Sequence, residues 1–552
     1  MGYVLGISSG LWRVGREDNI FGIIKKGYYS ITYGVRFTQI DIDSITEFKD
    51  PFLKQGIEEL KRFGIEFGFH GETTATSAVD VIGFDSAIKD VYEITHKRLI
   101  EQINAAGELG AKYLLFHASE SSPFQMLYRE FQPSKLVDFW GRPLRELIES
   151  EKFLWKFVFE SNVTKKIWEF LRIEPQEVIE RRLSVLRQHI RELLQSKITE
   201  ATQKVLANVE AKIRNGEIKP EERDKAFVEE YNRLKEEIEK EISEYEKSET
   251  ERLKNEVTKD LLDSIDSYDL NYGPERFAYY VVAKYMNETK DPLWMGIVGR
   301  KLSDEEIFTK PEIWVPAVAT KYVWGHFNPS PNFEDPKPLL EKYKMYIVWE
   351  TGLVRQGYEG MARIARPKEL YYLAKNLGTK WSAWCLDMEH ILATCYIDLK
   401  KEIEELPDDA GAWLKVVHVA YPSPLHGHKP IPLGSEAQEY IYEILYILRQ
   451  KGFKEGWILH ERGDKPAFQT MEVLRRIKEF LEKDVPPNEL PPEFYGFEID
   501  EPEVIRQEQI VLQHALDPLK GLLAVPEEEH TFLSKIALER GRLEQWKKEE
   551  MR

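Results

Sequence analysis

Short apolar runs recur along the chain and end, again and again, on histidine or a carboxylate. Phe67-Gly68-Phe69 leads to His70, Leu114-Leu115-Phe116 to His117, and Ile347-Val348-Trp349 to Glu350. Cys385-Leu386 leads to Asp387, Val416-Val417 to His418, and Ile458-Leu459 to His460 and Glu461. An unbroken apolar run of about four to six residues is the pattern of a parallel strand buried on both faces. Strands are predicted over 3–7, 37–42, 65–69, a run ending at His117, 345–349, 382–386, 414–417 and 457–459. Helix-period segments follow them over 51–63, 94–109, from Pro367 onward, 436–450 and 468–482. Gly110 stands where a helix C-cap enters the left-handed region. Eight strands alternating with helices predict an α/β fold, a (β/α)8 TIM barrel whose strand ends open onto the functional face.

The regular step fails once. About 230 residues separate His117 from Glu350, against a usual loop-helix-strand step of roughly 25 to 40. The expected organisation is therefore a first barrel half over 1–120, a large α-helical insertion after strand 4 over 121–335, a second barrel half over 336–485 and a C-terminal helical extension over 486–552. Inside the insertion, Ile179, Leu183, Leu186, Ile190, Leu193 and Ile198 keep helical spacing, as do Phe227, Tyr231, Leu234, Ile238, Ile242 and Tyr245. Asn215-Gly216 and Pro220 break the two runs. An antiparallel, coiled-coil-like helical hairpin is expected, with arms on the order of 50 Å.

Composition narrows the class. With 42% apolar and 31% charged residues over 552 positions, the chain reads as globular, with a packed core. Two cysteines are too few for a disulfide framework, and no basic leader or membrane-length apolar window occurs, so a cytoplasmic location is expected. The net charge of -18 argues against diffuse adhesion to nucleic acid but not against a local basic groove.

The strand-end residues are the candidate chemistry. Seven of the twelve histidines fall at or just past strand ends: His70, His117, His390, His418, His426, His428 and His460. Glu350, Asp387 and Glu461 stand beside them. Imidazoles and carboxylates without thiolate favour Zn, Mn or Fe, and several ligands from several strands favour more than one ion. Cys385 is read as core, and His460, on the opposite strand face from Glu461, as packing. His96, His189, His326, His514 and His530 carry no predicted chemistry. Arg355 and Arg462, just past ligand-bearing strands, are candidate substrate contacts.

The stretch Gly110-Ala111-Lys112-Tyr113-Leu114-Leu115-Phe116-His117 resembles the endonuclease IV branch of the xylose isomerase-like barrels. So does Cys385-Leu386-Asp387-Met388-Glu389-His390 with Tyr396-Ile397-Asp398 behind it. The resemblance covers the eight strands and neither the insertion nor the tail. It implies one metal on His70, His117 and Glu350, with Glu350 bridging to a second on Asp387, His418 and Glu461. A third would sit on His390 and His428 beside His426, where the family carries an aspartate. The chain also lacks the family's Pro-Gly after His117 and has Met388-Glu389 in place of Thr-Cys. The implied activity is a metal-dependent hydrolase, a Zn phosphodiesterase of DNA repair that cuts DNA at abasic sites, with Glu350 and Glu461 as catalytic residues. The alternative in the same superfamily is a sugar isomerase or epimerase holding a single Mn or Mg on Glu350, Asp387, His418 and Glu461. Expected partners are accordingly abasic DNA or a small sugar, with no membrane, and a second copy of the chain through the helical insertion.

Overall fold

A computed structural model describes residues 2–9, 22–28, 33–72, 82–119, 135–272, 275–352, 363–393, 398–422, 429–461 and 468–496. Arg355, Arg462, His426, His428 and the expected extension from 497 onward lie outside them. The described residues form two compact units, one of Met1–Pro143 with Val282–Arg552 and one of Leu144–Val281.

The first unit contains the barrel. Its strands are β1 (Tyr3–Ser8), β2 (Phe37–Asp41), β3 (Glu66–His70), β4 (Tyr113–His117), β5 (Tyr346–Glu350), β6 (Ser382–Asp387), β7 (Leu414–Val419) and β8 (Gly456–His460). They pair in chain order, and β1 closes on β8 in parallel from Tyr3↔Gly456 to Ile7↔His460. This is the predicted (β/α)8 architecture. The lower interior is filled by Phe37, Tyr113, Leu115, Val348, Ala383, Cys385, Val416 and Leu459.

That inner layer fixes which way the strand ends point, because strand side chains alternate with period two. Leu115 faces inward, so His117 does. By the same step Val348 sends Glu350 inward, Cys385 sends Asp387, Val416 sends His418 and Leu459 sends Glu461. His460 falls on the other face, and its Nδ1 lies 3.0 Å from the Val419 carbonyl oxygen. Gly68, two residues before His70, leaves room for a ring: a Cβ there would stand 2.5 Å from Tyr113 Cζ.

Helices cover the strands from outside. Lys89–Leu109 ends at Gly110 with φ +81°, in the left-handed region as the sequence predicts. Helix Pro367–Asn376 opens with Pro367 in its first turn, and Glu369 accepts the backbone N–H groups of Ala365 at 2.7 Å and Arg366 at 3.0 Å. Burial pushes the Glu369 carboxyl up to about 7 despite those two donors. A carboxyl held above its unfolded range makes the fold most stable below about pH 4.5. Stability is lost as pH rises through 7, by about 3 kcal/mol. Glu369→Gln keeps an acceptor for both N–H groups and cannot ionise. Urea unfolding should therefore show the variant closest to the parent at pH 4 and more stable by up to about 3 kcal/mol at pH 8.5; parallel pH curves would remove Glu369 as the cause.

The second unit is helical. Pro175–Arg214, 40 residues, and Arg223–Tyr272, 50 residues, run antiparallel, about 60 and 75 Å long at 1.5 Å per residue. Lys197 meets Glu241 at 2.7 Å and Lys212 meets Glu230 at 3.1 Å across the pair. Leu183, Ile190, Ala201, Val205 and Val209 form the buried stripe of the first helix, and Ile242, Val257 and Leu261 that of the second. The turn between them holds Gly216 at φ +75°. Among the described residues, no helix is long and apolar enough to cross a membrane.

Candidate metal centre

The inward strand ends of β5, β6 and β7, with Glu461 just past β8, bring four donors together. One ligand atom each from Glu350, Asp387, His418 and Glu461 lies within 4.8 Å of the others. His418 Nδ1 stands 2.7 Å from Glu350 Oε1, 3.5 Å from Asp387 Oδ2 and 3.5 Å from Glu461 Oε2. Register sets this up, since Asp387 pairs with His418 across β6 and β7. Glu350, Asp387 and His418 are at most 1% exposed.

A second group adjoins the first through Glu350. His70 Nε2 and His117 Nε2 stand 3.4 and 3.5 Å from Glu350 Oε2, and 3.2 Å from each other. His117 pairs directly with Glu350 across β4 and β5. Oε1 of Glu350 thus serves the four-residue group and Oε2 the histidine pair. His70 Nδ1 lies 2.9 Å from the Gly71 carbonyl oxygen, a backbone partner of the kind that orients a ligating imidazole.

The arrangement fits a cation. Glu350 Oε2, Asp387 Oδ2 and His418 Nδ1 are buried and have no hydrogen-bond partner, even though His418 Nδ1 is so near Glu350 Oε1. Each such atom costs about 1–3 kcal/mol if left unsatisfied. A divalent ion in the four-residue group would satisfy Asp387 Oδ2 and His418 Nδ1, and one beside His70 and His117 would satisfy Glu350 Oε2. Without an ion the group divides its protons unevenly. Burial opposes ionisation of Glu350, but His418, His117 and His70 outweigh it and hold the carboxyl well below the usual range. Asp387 is also held low, with His390 and His418 overcoming its burial. Glu461 is pushed well up by burial and by the Asp387 charge. Burial lowers His418, yet its acidic neighbours, the ionised Glu350 among them, hold it well above the usual imidazole range.

The other sequence candidates fall as follows. His390 joins no three-residue donor group among the described residues; its backbone N–H donates to Asp387 Oδ1 at 2.7 Å and its Nδ1 lies 2.9 Å from the Thr351 carbonyl oxygen. His426 and His428, its expected companions, and Arg355 and Arg462 lie outside the described residues. Cys385 Sγ lies 3.8 Å from Glu350 Oε1 and belongs to the interior layer, where burial pushes the thiol up. Sequence reasoning missed Gln39, whose Oε1 is 2.9 Å from His418 Nε2. The available signal was that β2 is buried along its whole length yet contains Thr38, Gln39 and Asp41.

Compared by sequence, the chain matches no family model and no curated protein. Among solved structures it matches a D-tagatose 3-epimerase-like protein at 11% identity, over 87% of this chain and 98% of that one, with a TM-score of 0.37. It also matches the apo form of 3-keto-D-glucoside 4-epimerase from E. coli, at 10% identity over 86% and 99% with a TM-score of 0.35. A third match is D-psicose 3-epimerase in the presence of D-fructose, at 8% identity over 87% and 96% with a TM-score of 0.36. At these identities the likeness is one of fold. Fold and donor set together define the class: a (β/α)8 barrel with a candidate divalent-cation donor group at its strand ends. Those three structures are epimerases or epimerase-like and none of them is an endonuclease, which corrects the expectation taken from the endonuclease IV resemblance. The phosphodiesterase, hydrolase and DNA-repair assignment, with abasic DNA as partner, is not retained. Glu350, Asp387, His418 and Glu461 suit both reactions, and the endonuclease expectation rests on His70, His117 and His428 as added ligands. Two histidines beside a shared carboxylate, as His70 and His117 stand beside Glu350, do not by themselves select phosphodiester chemistry.

Proposed function

We propose that the protein is a divalent-metal-dependent isomerase or epimerase acting on a small keto sugar. The observation that carries this is the four-residue group itself, with three carboxylates and one imidazole drawn from β5, β6, β7 and the end of β8. Its donor set is oxygen-rich, which suits Mn²⁺ or Mg²⁺ better than Zn²⁺. When bound there, such an ion polarises a carbonyl and an adjacent hydroxyl, so that the C–H bond between them becomes acidic. Glu350 and Glu461 supply the proton traffic. One carboxylate takes the proton from the carbon beside the carbonyl, and the other returns a proton. Return to the opposite face of the same carbon inverts it, and return to the neighbouring carbon moves the carbonyl. His70 and His117, with Glu350 Oε2, supply donors for a second divalent ion beside the first.

Incubation with ketopentoses and ketohexoses in ²H₂O tests this. With Mn²⁺ or Mg²⁺ present, deuterium should enter the carbon beside the carbonyl of at least one ketose and an epimer or aldose should accumulate, and EDTA should stop both. A metal-loaded protein that exchanges no carbon-bound hydrogen of any ketose would overturn the proposal.

A further inference from the structure

Beneath the four donors, a chain of buried polar side chains crosses the barrel floor. Tyr113 Oη donates to Gln39 Oε1 at 2.9 Å, and His418 Nε2 lies 2.9 Å from the same oxygen. Gln39 Nε2 donates to Asp41 Oδ1 at 3.3 Å, and Ser9 Oγ donates to Asp41 Oδ2 at 3.0 Å. The end of β2 is pinned from outside by Lys26, whose fully buried Nζ donates to the Asp41 carbonyl oxygen at 2.5 Å and pairs with Asp43 and Glu47. Gln39, Asp41, Tyr113 and His418 are all at most 3% exposed, so water does not substitute for these partners.

The chain can be satisfied in one way. A carboxylate only accepts, so the Gln39 amide must turn its NH₂ to Asp41 and its carbonyl oxygen to Tyr113 and His418. A carbonyl oxygen only accepts, so His418 Nε2 must carry the hydrogen. A neutral imidazole protonated on Nε2 has its lone pair on Nδ1, and Nδ1 is the atom that faces Glu350, Asp387 and Glu461.

We propose that Gln39 is a positioning residue: oriented by Asp41, it holds His418 in the Nε2–H tautomer and so presents Nδ1 to the cation. The proposal rests on the four-residue group being a cation site. Partners of this kind typically change metal affinity about 10- to 100-fold when removed.

Two measurements test it. The first is the long-range ¹H–¹⁵N spectrum of histidine-labelled parent protein in EDTA at alkaline pH, with the His418 resonance identified by substitution. A bare Nδ1 and a protonated Nε2 are expected there, and any other pattern overturns the proposal without reference to metal. The second is the affinity for Mn²⁺ and for Zn²⁺ by chelator competition. Gln39→Met, similar in size but without the acceptor, should bind about 10- to 100-fold more weakly. The double variant Gln39→Glu with Asp41→Asn exchanges amide and carboxylate, restores an acceptor for His418 Nε2, and should recover affinity to within about threefold of the parent. Equal affinity for Gln39→Met and parent, or no recovery in a folded double variant, overturns the positioning role. A parent that binds neither ion overturns the cation site itself, and the tautomer spectrum then decides on its own whether Gln39 sets the His418 ring.

Discussion

Glu350→Gln should lower turnover of the ketose substrate by about 10⁴-fold and cost the protein bound divalent metal. A positioned proton-transfer group alone contributes about 10²–10⁴, and here the same side chain also supplies a ligand. Glu350 is fully buried and divided between two groups, Oε1 towards His418 and Oε2 towards His70 and His117. A glutamine has one carbonyl oxygen and one NH₂, so whichever way the amide turns, one group receives a donor where it needs an acceptor. The carboxylate charge among three imidazoles is lost as well. Kinetics in saturating Mn²⁺, a metal count after gel filtration and circular dichroism would be read together. Parent-like turnover in a folded variant would sink the assignment of Glu350, whereas lost turnover with parent-like metal content would confine its role to proton transfer.

The barrel was legible because parallel strands buried on both faces leave continuous apolar runs, and the last residue of such a run marks the functional face. Glu350, His117 and His70 are the terminal residues of β5, β4 and β3. The period-two rule then puts His460 and Glu461 on opposite faces of the strand. The hairpin was legible for the same kind of reason, since long helical spacing interrupted by Asn215-Gly216 leaves few alternatives. Gln39 was not legible. Its partner His418 is 379 residues away, and only closure of β1 on β8 and the stagger of the strands bring β2 across to β7. Local pattern marks β2 as unusually polar but carries no trace of which residue Gln39 meets. His96 and His326, read as without chemistry, show the same limit: their Nδ1 atoms lie 3.3 Å apart, with the His326 ring stacked 4.1 Å from that of Tyr92. The choice of reaction was illegible for a different reason. Four candidate donors can be read from strand ends, but in such barrels the substrate is chosen beyond those ends, and His426, His428, Arg355 and Arg462 lie outside the described residues.

Divalent metal should stabilise the fold in a strongly pH-dependent way. At a free Mn²⁺ concentration about 1,000 times the dissociation constant, the folded state should gain about 4 kcal/mol over the protein in EDTA. The gain has a local origin: an ion in the four-residue group would satisfy Asp387 Oδ2 and His418 Nδ1, which otherwise lie buried without partners. Protons compete for the same atoms, because ligands bind metal in their deprotonated forms. Glu350 and Asp387 are held low and stay ionised across the accessible range. Glu461 and His418 are held high, so each must release a proton to the solvent before it can ligate. The metal-dependent gain is therefore complete above those raised values and is lost as pH falls through them. Unfolding in Mn²⁺ and in EDTA should differ most at the alkaline end of the accessible range and much less at the acidic end. A gain of equal size at both would show that His418 and Glu461 do not ligate, and no gain at either would remove the four-residue group as a metal centre.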